Sequence, residues 1–170
     1  MSAIAILCIE DEPEVRDALL RDLAPFRASF IVESADDAED ARALIRDLAA
    51  KGIAIGLILC DHLLPGQRGV DFLIDLKKQD LDMKTRLVLI TGQAGLDETV
   101  RAINKAGLHY YIAKPWKPEE LHTIVKNQLT EYVLASDQDL LPYVAMLDGP
   151  RLLAAIAQRR GNDDSRGVHR

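Results

Sequence analysis

The 170 residues, 48% of them apolar, suffice for one domain of ordinary size with a real core plus an appendage, and a second full domain is not expected. With 21 Lys and Arg against 27 Asp and Glu, the net charge of −6 offers no electrostatic reason to approach nucleic acid or an acidic membrane, which argues against direct DNA binding. Positions 1 to 9 lack a basic leader, and no apolar run approaches the ~20 residues that span a bilayer, so a cytoplasmic protein without membrane insertion is expected.

Short runs rich in Ile, Leu and Val alternate with longer stretches of helical periodicity, five times in succession, the pattern of βα units around a parallel sheet. The predicted strands are Ile4–Ile9, Ser29–Glu33, Gly56–Cys60, Arg86–Thr91 and Leu108–Ala113. Several are apolar on consecutive residues, which predicts helices on both faces of the sheet. A first helix starts at Pro13 and turns Val15, Leu19, Leu20 and Leu23 towards the core. A second runs from about Asp36 to Ala50 and is closed by Gly52; a third follows Gly69 and Val70 with Phe72, Leu73 and Leu76 on one side. A fourth lies near Asp97–Ala106, ended by Gly107, and a fifth starts near Pro118 and presents Leu121, Ile124, Val125, Leu129 and Tyr132. Cys8 and Cys60 sit inside strand-like runs and read as small buried hydrophobes; no disulfide framework or zinc spacing is visible.

After about residue 135 the rhythm stops. "SDQDLLPYVAMLDGPRLLAAIAQRR" predicts two short helices, broken around Pro142 and restarted at Pro150, whose many apolar residues need a surface to cover. The expected division is a domain over 1–130, a helical extension over 131–160 and a disordered polar tail over 161–170. The extension is expected to pack on the domain or pair with a second copy, with a linker to a further domain as the alternative.

In a doubly wound parallel sheet, chemistry gathers beyond the carboxyl ends of the strands, where Glu10 and Asp11 follow the first strand and Asp61 ends the third. If those strands are neighbours, three uncompensated carboxylates meet and repel, raising at least one pKa unless a divalent cation is present. Hard oxygen ligands of this kind suit Mg²⁺. Thr91 ends the fourth strand and Lys114 follows the fifth, so an acid cluster, a hydroxyl and an ammonium converge on one rim. Such a set serves an aspartyl phosphate, with Asp61 as nucleophile, Mg²⁺ neutralising phosphoryl oxygens, and Thr91 and Lys114 binding the others.

In "CIEDEP", "LILCDHLLPGQRGVDFL", "LVLITGQA" and "YYIAKPW", taken in this order over roughly residues 4 to 130, the chain resembles a response-regulator receiver domain of two-component signalling. The resemblance implies an α/β, flavodoxin-like fold with five parallel strands in the order 2-1-3-4-5. It implies Asp61 as phosphoacceptor, Asp11 as a direct and Glu10 as an outer-sphere metal residue, and the backbone carbonyl of Leu63 as a further ligand. It implies Thr91 and Lys114 as phosphoryl-binding groups and Thr91 with Tyr111 as the switch that repacks the surface of the fourth helix, fifth strand and fifth helix. Tyr111 as a plain core aromatic is the alternative. Adjacent Tyr110 is expected to face the other side of the strand, and Trp116 to be exposed or half-buried.

The implied partners are a histidine kinase or phosphotransfer protein and a downstream protein or output domain, with a homodimer possible; the protein would be no enzyme beyond its own phosphorylation and dephosphorylation. Three departures stand out: Glu10 where Asp is more usual, Arg68 where an acid often precedes the glycine, and Leu63, with Gln93, bordering the path of the attacking water. An apolar Leu63 cannot orient that water, which predicts slow dephosphorylation.

Other classes fit less well. A haloacid-dehalogenase-like phosphatase needs a second Asp where Leu63 stands, and a flavodoxin-like flavin carrier needs a phosphate loop where "EDEP" would repel one. A pseudo-receiver would be recommended by loss of Asp61, Asp11 or Lys114, and all three are present. The receiver part of a longer regulator remains the alternative to a protein acting by protein contact alone.

Overall fold

A computed structural model of the chain describes residues 3–79, 82, 84–92, 105 and 107–166. Five parallel strands form one sheet in the order β2-β1-β3-β4-β5, as expected. They are β1 (Ile4–Ile9), β2 (Ile31–Ala35), β3 (Ala54–Asp61), β4 (Arg86–Thr91) and β5 (Tyr110–Ala113). The helices are α1 (Pro13–Leu23), α2 (Ala38–Ala50), α3 (Gly69–Lys78), α4 (Pro118–Ala135) and α5 (Gly149–Arg166). Thus α4 is the fifth predicted helix, and the predicted fourth, 97–106, lies outside the described residues except for Lys105.

The period of two along each strand explains the continuous apolar runs. Ile4, Ile6 and Cys8 pack with Leu57, Leu59, Val88 and Ile90 under α1 and α4, while Ala5, Leu7 and Ile9 pack with Ile58, Cys60, Leu87 and Leu89 under α2 and α3. Cys8 and Cys60 therefore belong to opposite faces; both thiols are free, and burial pushes the Cys8 thiol up to about 12.

Strand ends differ from the sequence expectation where backbone amides are used elsewhere. β2 starts at Ile31 rather than Ser29, because a 3-10 helix over Ala24–Ala28 precedes it and the amides of Ser29 and Phe30 both donate to Phe26 O. β5 starts at Tyr110 rather than Leu108; His109 N still donates to Leu87 O, but its ring takes the Leu87 amide, 2.9 Å from Nδ1. β3 is longer than expected, with Ile4 opposite Ala54 and Asp61 opposite Ile90. α2 begins two residues late because Asp37 is its N-cap, its carboxylate accepting from Asp40 N at 2.7 Å.

The extension packs onto the domain, and the expected boundary at residue 130 falls inside the continuous helix α4. Leu140, Tyr143, Leu147 and Leu152 are buried in the same cluster as Ile4, Leu23 and Phe26, with Tyr143 stacked on Phe30 at a ring distance of 5.4 Å. Arg159 donates to the carbonyls of Leu134, Ser136 and Gln138, satisfying acceptors that the end of α4 leaves open. Of the two helices expected here, the first is a single 3-10 turn, Leu141–Tyr143. The second, α5, runs to Arg166, into the tail expected to be disordered: no proline follows Pro150, and Gly161, worth about 1 kcal/mol against the helix, does not end it. No described helix is long and apolar enough to cross a membrane.

Candidate functional site

The carboxyl ends of β1, β3, β4 and β5 bring Glu10, Asp11, Asp61, Thr91 and Lys114 to one rim. Glu10 N donates to Ala35 O at 3.1 Å, extending the β1–β2 ladder by one bond, so the Glu10 side chain is held at the sheet end and fully buried. Its Oε1 accepts from Glu12 N at 3.2 Å. Asp61 is the last residue of β3 and 3% exposed, which leaves its carboxylate almost no water. Glu10, Asp11 and Asp61 each offer an oxygen within 4.8 Å of the others.

Lys114 compensates part of this charge. Its amide donates to Thr91 O at 2.8 Å, tying the end of β5 to the end of β4, and its Nζ lies 2.9 Å from Asp61 Oδ1 and 3.0 Å from Glu10 Oε2. Burial alone would lower the Lys114 pKa, but the hydrogen bonds to Asp61 and Glu10 outweigh it and hold the ammonium above its usual range. The Glu10 pKa is raised, first by burial and less by the Asp61 charge, with Lys114 opposing. Thr91 is 4% exposed, and its Oγ1 has no hydrogen-bond partner among the described residues. A buried hydroxyl of this kind costs about 1–3 kcal/mol unless a ligand or water completes it.

The loop after Asp61 is closed at its base. Gly69 N donates to His62 O at 2.8 Å, and Leu63 pairs with Arg68 in an isolated antiparallel bridge. A Cβ at Gly69 would lie 2.0 Å from Asp61 O, so only glycine lets α3 start this close to the end of β3. The Leu63 side chain is 70% exposed. Gln93 lies outside the described residues.

The Tyr111 ring is half exposed, not a core aromatic. Although Tyr110 and Tyr111 are adjacent in β5, their rings come within 6.2 Å of each other and lie 21° from parallel. β5 is the last strand in the sheet order, and both rings are about half exposed. Trp116 is half-buried, its Nε1 donating to Asp22 Oδ2 at 2.9 Å.

Sequence reasoning missed Arg16, whose Nη1 reaches Glu10 O at 3.3 Å and pairs with Asp36, joining the turns after β1 and β2. Its position one turn into α1, just past the acids, was the available signal.

Residues 6–126 match the family described as the response regulator receiver domain. The chain belongs to that family. Among its relatives is the hydrogenase transcriptional regulatory protein HoxA of Cupriavidus necator, 28% identical over 160 residues, covering 94% of this chain and 31% of that protein. The phosphate regulon regulator PhoB of Pseudomonas aeruginosa is 28% identical over 124 residues, covering 73% of this chain and 51% of PhoB. This receiver therefore spans about a third to a half of the length of these regulators. The crystal structure of a CheY-like receiver from Methanospirillum hungatei superimposes with a TM-score of 0.67 at 27% identity, covering 79% of this chain and all of that one. The NtrX receiver domain of Brucella abortus does so at 0.62 and 29%, covering 74% of this chain and 98% of that one. Receivers are signalling domains that bind Mg²⁺ in an acidic pocket, and the cluster of Glu10, Asp11 and Asp61 beside a buried Thr91 hydroxyl without a partner has the donor chemistry that such an ion and a phosphoryl group require.

Proposed function

We propose that this receiver accepts a phosphoryl group on Asp61 from a histidine kinase or phosphotransfer protein, in a Mg²⁺-dependent step, and passes the signal on as a changed surface. The observation that carries this reading is Lys114 Nζ held between Asp61 and Glu10, with the Thr91 hydroxyl buried alongside. Glu10, Asp11, Asp61 and the Leu63 carbonyl would hold the ion, which when bound supplies charge neutralisation for phosphoryl oxygens. An Asp61 carboxylate oxygen forms a bond to phosphorus as the donor's nitrogen–phosphorus bond breaks, and the donor histidine keeps the electron pair. Lys114 transfers its hydrogen bond to a phosphoryl oxygen, and Thr91 Oγ1 donates to another. Tyr111, already outside the core, turns inward as Thr91 moves, repacking the surface of the predicted fourth helix, β5 and α4 for a downstream protein partner or self-association. The protein works in the cytoplasm and catalyses only its own phosphorylation and dephosphorylation.

A second reading, the receiver as input segment of a longer regulator, is favoured by the similarity to HoxA, which takes in 94% of this chain, extension included. A pseudo-receiver lacks support while Asp11, Asp61 and Lys114 stand together.

The test is intact mass after adding Mg²⁺ and acetyl phosphate, beside Asp61→Asn, with light scattering on the same samples. A gain of ~80 Da that vanishes in Asp61→Asn is expected; a concurrent change in size would identify self-association as the output. No gain from acetyl phosphate or from histidine kinases, together with no Mg²⁺ binding, would overturn the reading in favour of a pseudo-receiver.

A further inference from the structure

The loop that leaves Asp61 is gripped in its middle as well as at its base. Gln67 Oε1 accepts from Arg42 Nη2 of α2 at 2.9 Å, and Gln67 Nε2 donates to Asp75 Oδ2 of α3 at 2.7 Å. Arg42 stands 3.9 Å from the same Asp75 oxygen, and its guanidinium lies over the buried Phe72 ring, 5.0 Å from the centroid. The clasp thus runs from a loop side chain to two helices and, through Phe72, to the core. Only a carboxamide fits its centre: it accepts from a cation on one side and donates to an anion on the other. Glutamate has no donor, lysine no acceptor, and methionine of equal length no donor and only a weakly accepting sulfur.

We propose that Gln67 is a positioning residue for this receiver's phosphoacceptor loop: clasped between Arg42 and Asp75, it fixes the segment that begins at Asp61 and contains Leu63, and thereby sets the divalent-cation affinity of the acid cluster. This rests on the proposed function, in which the Leu63 carbonyl is a ligand. Because the bridge from Leu63 to Arg68 and the bond from Gly69 N to His62 O secure only the loop's ends, the Gln67 clasp removes the remaining freedom of its outer part. Outer groups that orient ligands in this way govern metal affinity about tenfold or more.

The experiment is calorimetric titration with Mg²⁺ alone, on the whole 170-residue chain, at a temperature where urea unfolding shows every variant folded. Gln67→Met is expected to weaken Mg²⁺ binding about tenfold. Gln67→Glu, which sets a carboxylate against Asp75, is expected to weaken it too. The pair Gln67→Glu with Asp75→Asn exchanges donor and acceptor and is expected to bring affinity back to within about twofold of the parent, a rescue that a merely structural contribution to stability would not produce. Parental affinity in Gln67→Met, or no recovery in the double variant, would overturn the inference. If the parent itself binds no Mg²⁺, the metal-dependent reading of the whole site fails, which is distinct from a loss confined to the Gln67 variants.

Discussion

Lys114 Nζ lies 2.9 Å from Asp61 Oδ1, although β4 separates the strands from which the two residues emerge. The amide of Lys114 is bound to Thr91 O at the end of β4, so the side chain sets out from the rim of the intervening strand and reaches across it. The buried Asp61 carboxylate is thereby paired with an ammonium. The same ammonium also holds Glu10, whose extra methylene relative to Asp brings its carboxylate to 3.0 Å.

Leu63→Asn is expected to shorten the lifetime of the aspartyl phosphate proposed at Asp61 about tenfold, since the leucine side chain, 70% exposed on the loop after Asp61, offers an attacking water neither donor nor acceptor. The check is the decay of the ~80 Da mass increment after removal of the phosphodonor; an unchanged or longer lifetime would contradict it.

His109 is expected to make stability pH-dependent. Its pKa is lowered to about 4, first by burial and then by Arg86 and Lys77, and its Nδ1 accepts from Leu87 N. Because the folded pKa lies below the unfolded value of about 6.5, the unfolded chain binds the extra proton first, so this stability is complete above about pH 6.5 and is lost as pH falls towards 4. Discounted for partial exposure, the loss is about 1–2 kcal/mol. His109→Asn, which can still accept from Leu87 N, should flatten the slope of urea-unfolding free energy between pH 7 and 5; an identical slope in both proteins would refute the assignment.

Adjacent leucines of α5 are expected to differ sharply. Leu152 is fully buried against the domain and Leu153 is 52% exposed. Leu152→Ala should cost about 2–4 kcal/mol in urea unfolding and Leu153→Ala under about 0.5. Equal costs would mean that the extension does not pack on the domain in solution.

Two glycines flanking Gln67 separate steric from conformational demand. Gly69→Ala drives a methyl group against Asp61 O and should cost more than about 3 kcal/mol or displace the loop, whereas Gly66→Ala, at φ 77° with nothing near its Cβ, should cost about 1 kcal/mol. Thermal unfolding of the two variants decides between this order and its reverse.

The five strands and the candidate site were legible for one reason. A sheet covered on both faces demands apolar strands, so the polar residues that interrupt them, Glu10, Asp61, Thr91 and Lys114, mark the rim where the ladder ends. Sequence by itself therefore determined the fold class, the strand count and the membership of the acid cluster. Only the tertiary structure decided that Lys114 bonds Asp61 and Glu10 at once, that Arg16 steadies the Glu10 turn, and that Gln67 joins Arg42 to Asp75. Those bonds link residues far apart in the chain, and neither periodicity nor composition encodes which distant side chains meet. The extension shows the same limit: its apolar residues announced that they needed cover, but a helix's pattern does not name the surface it covers, and the contacts of Tyr143 with Phe30 and of Arg159 with the end of α4 arise only when the chain is folded.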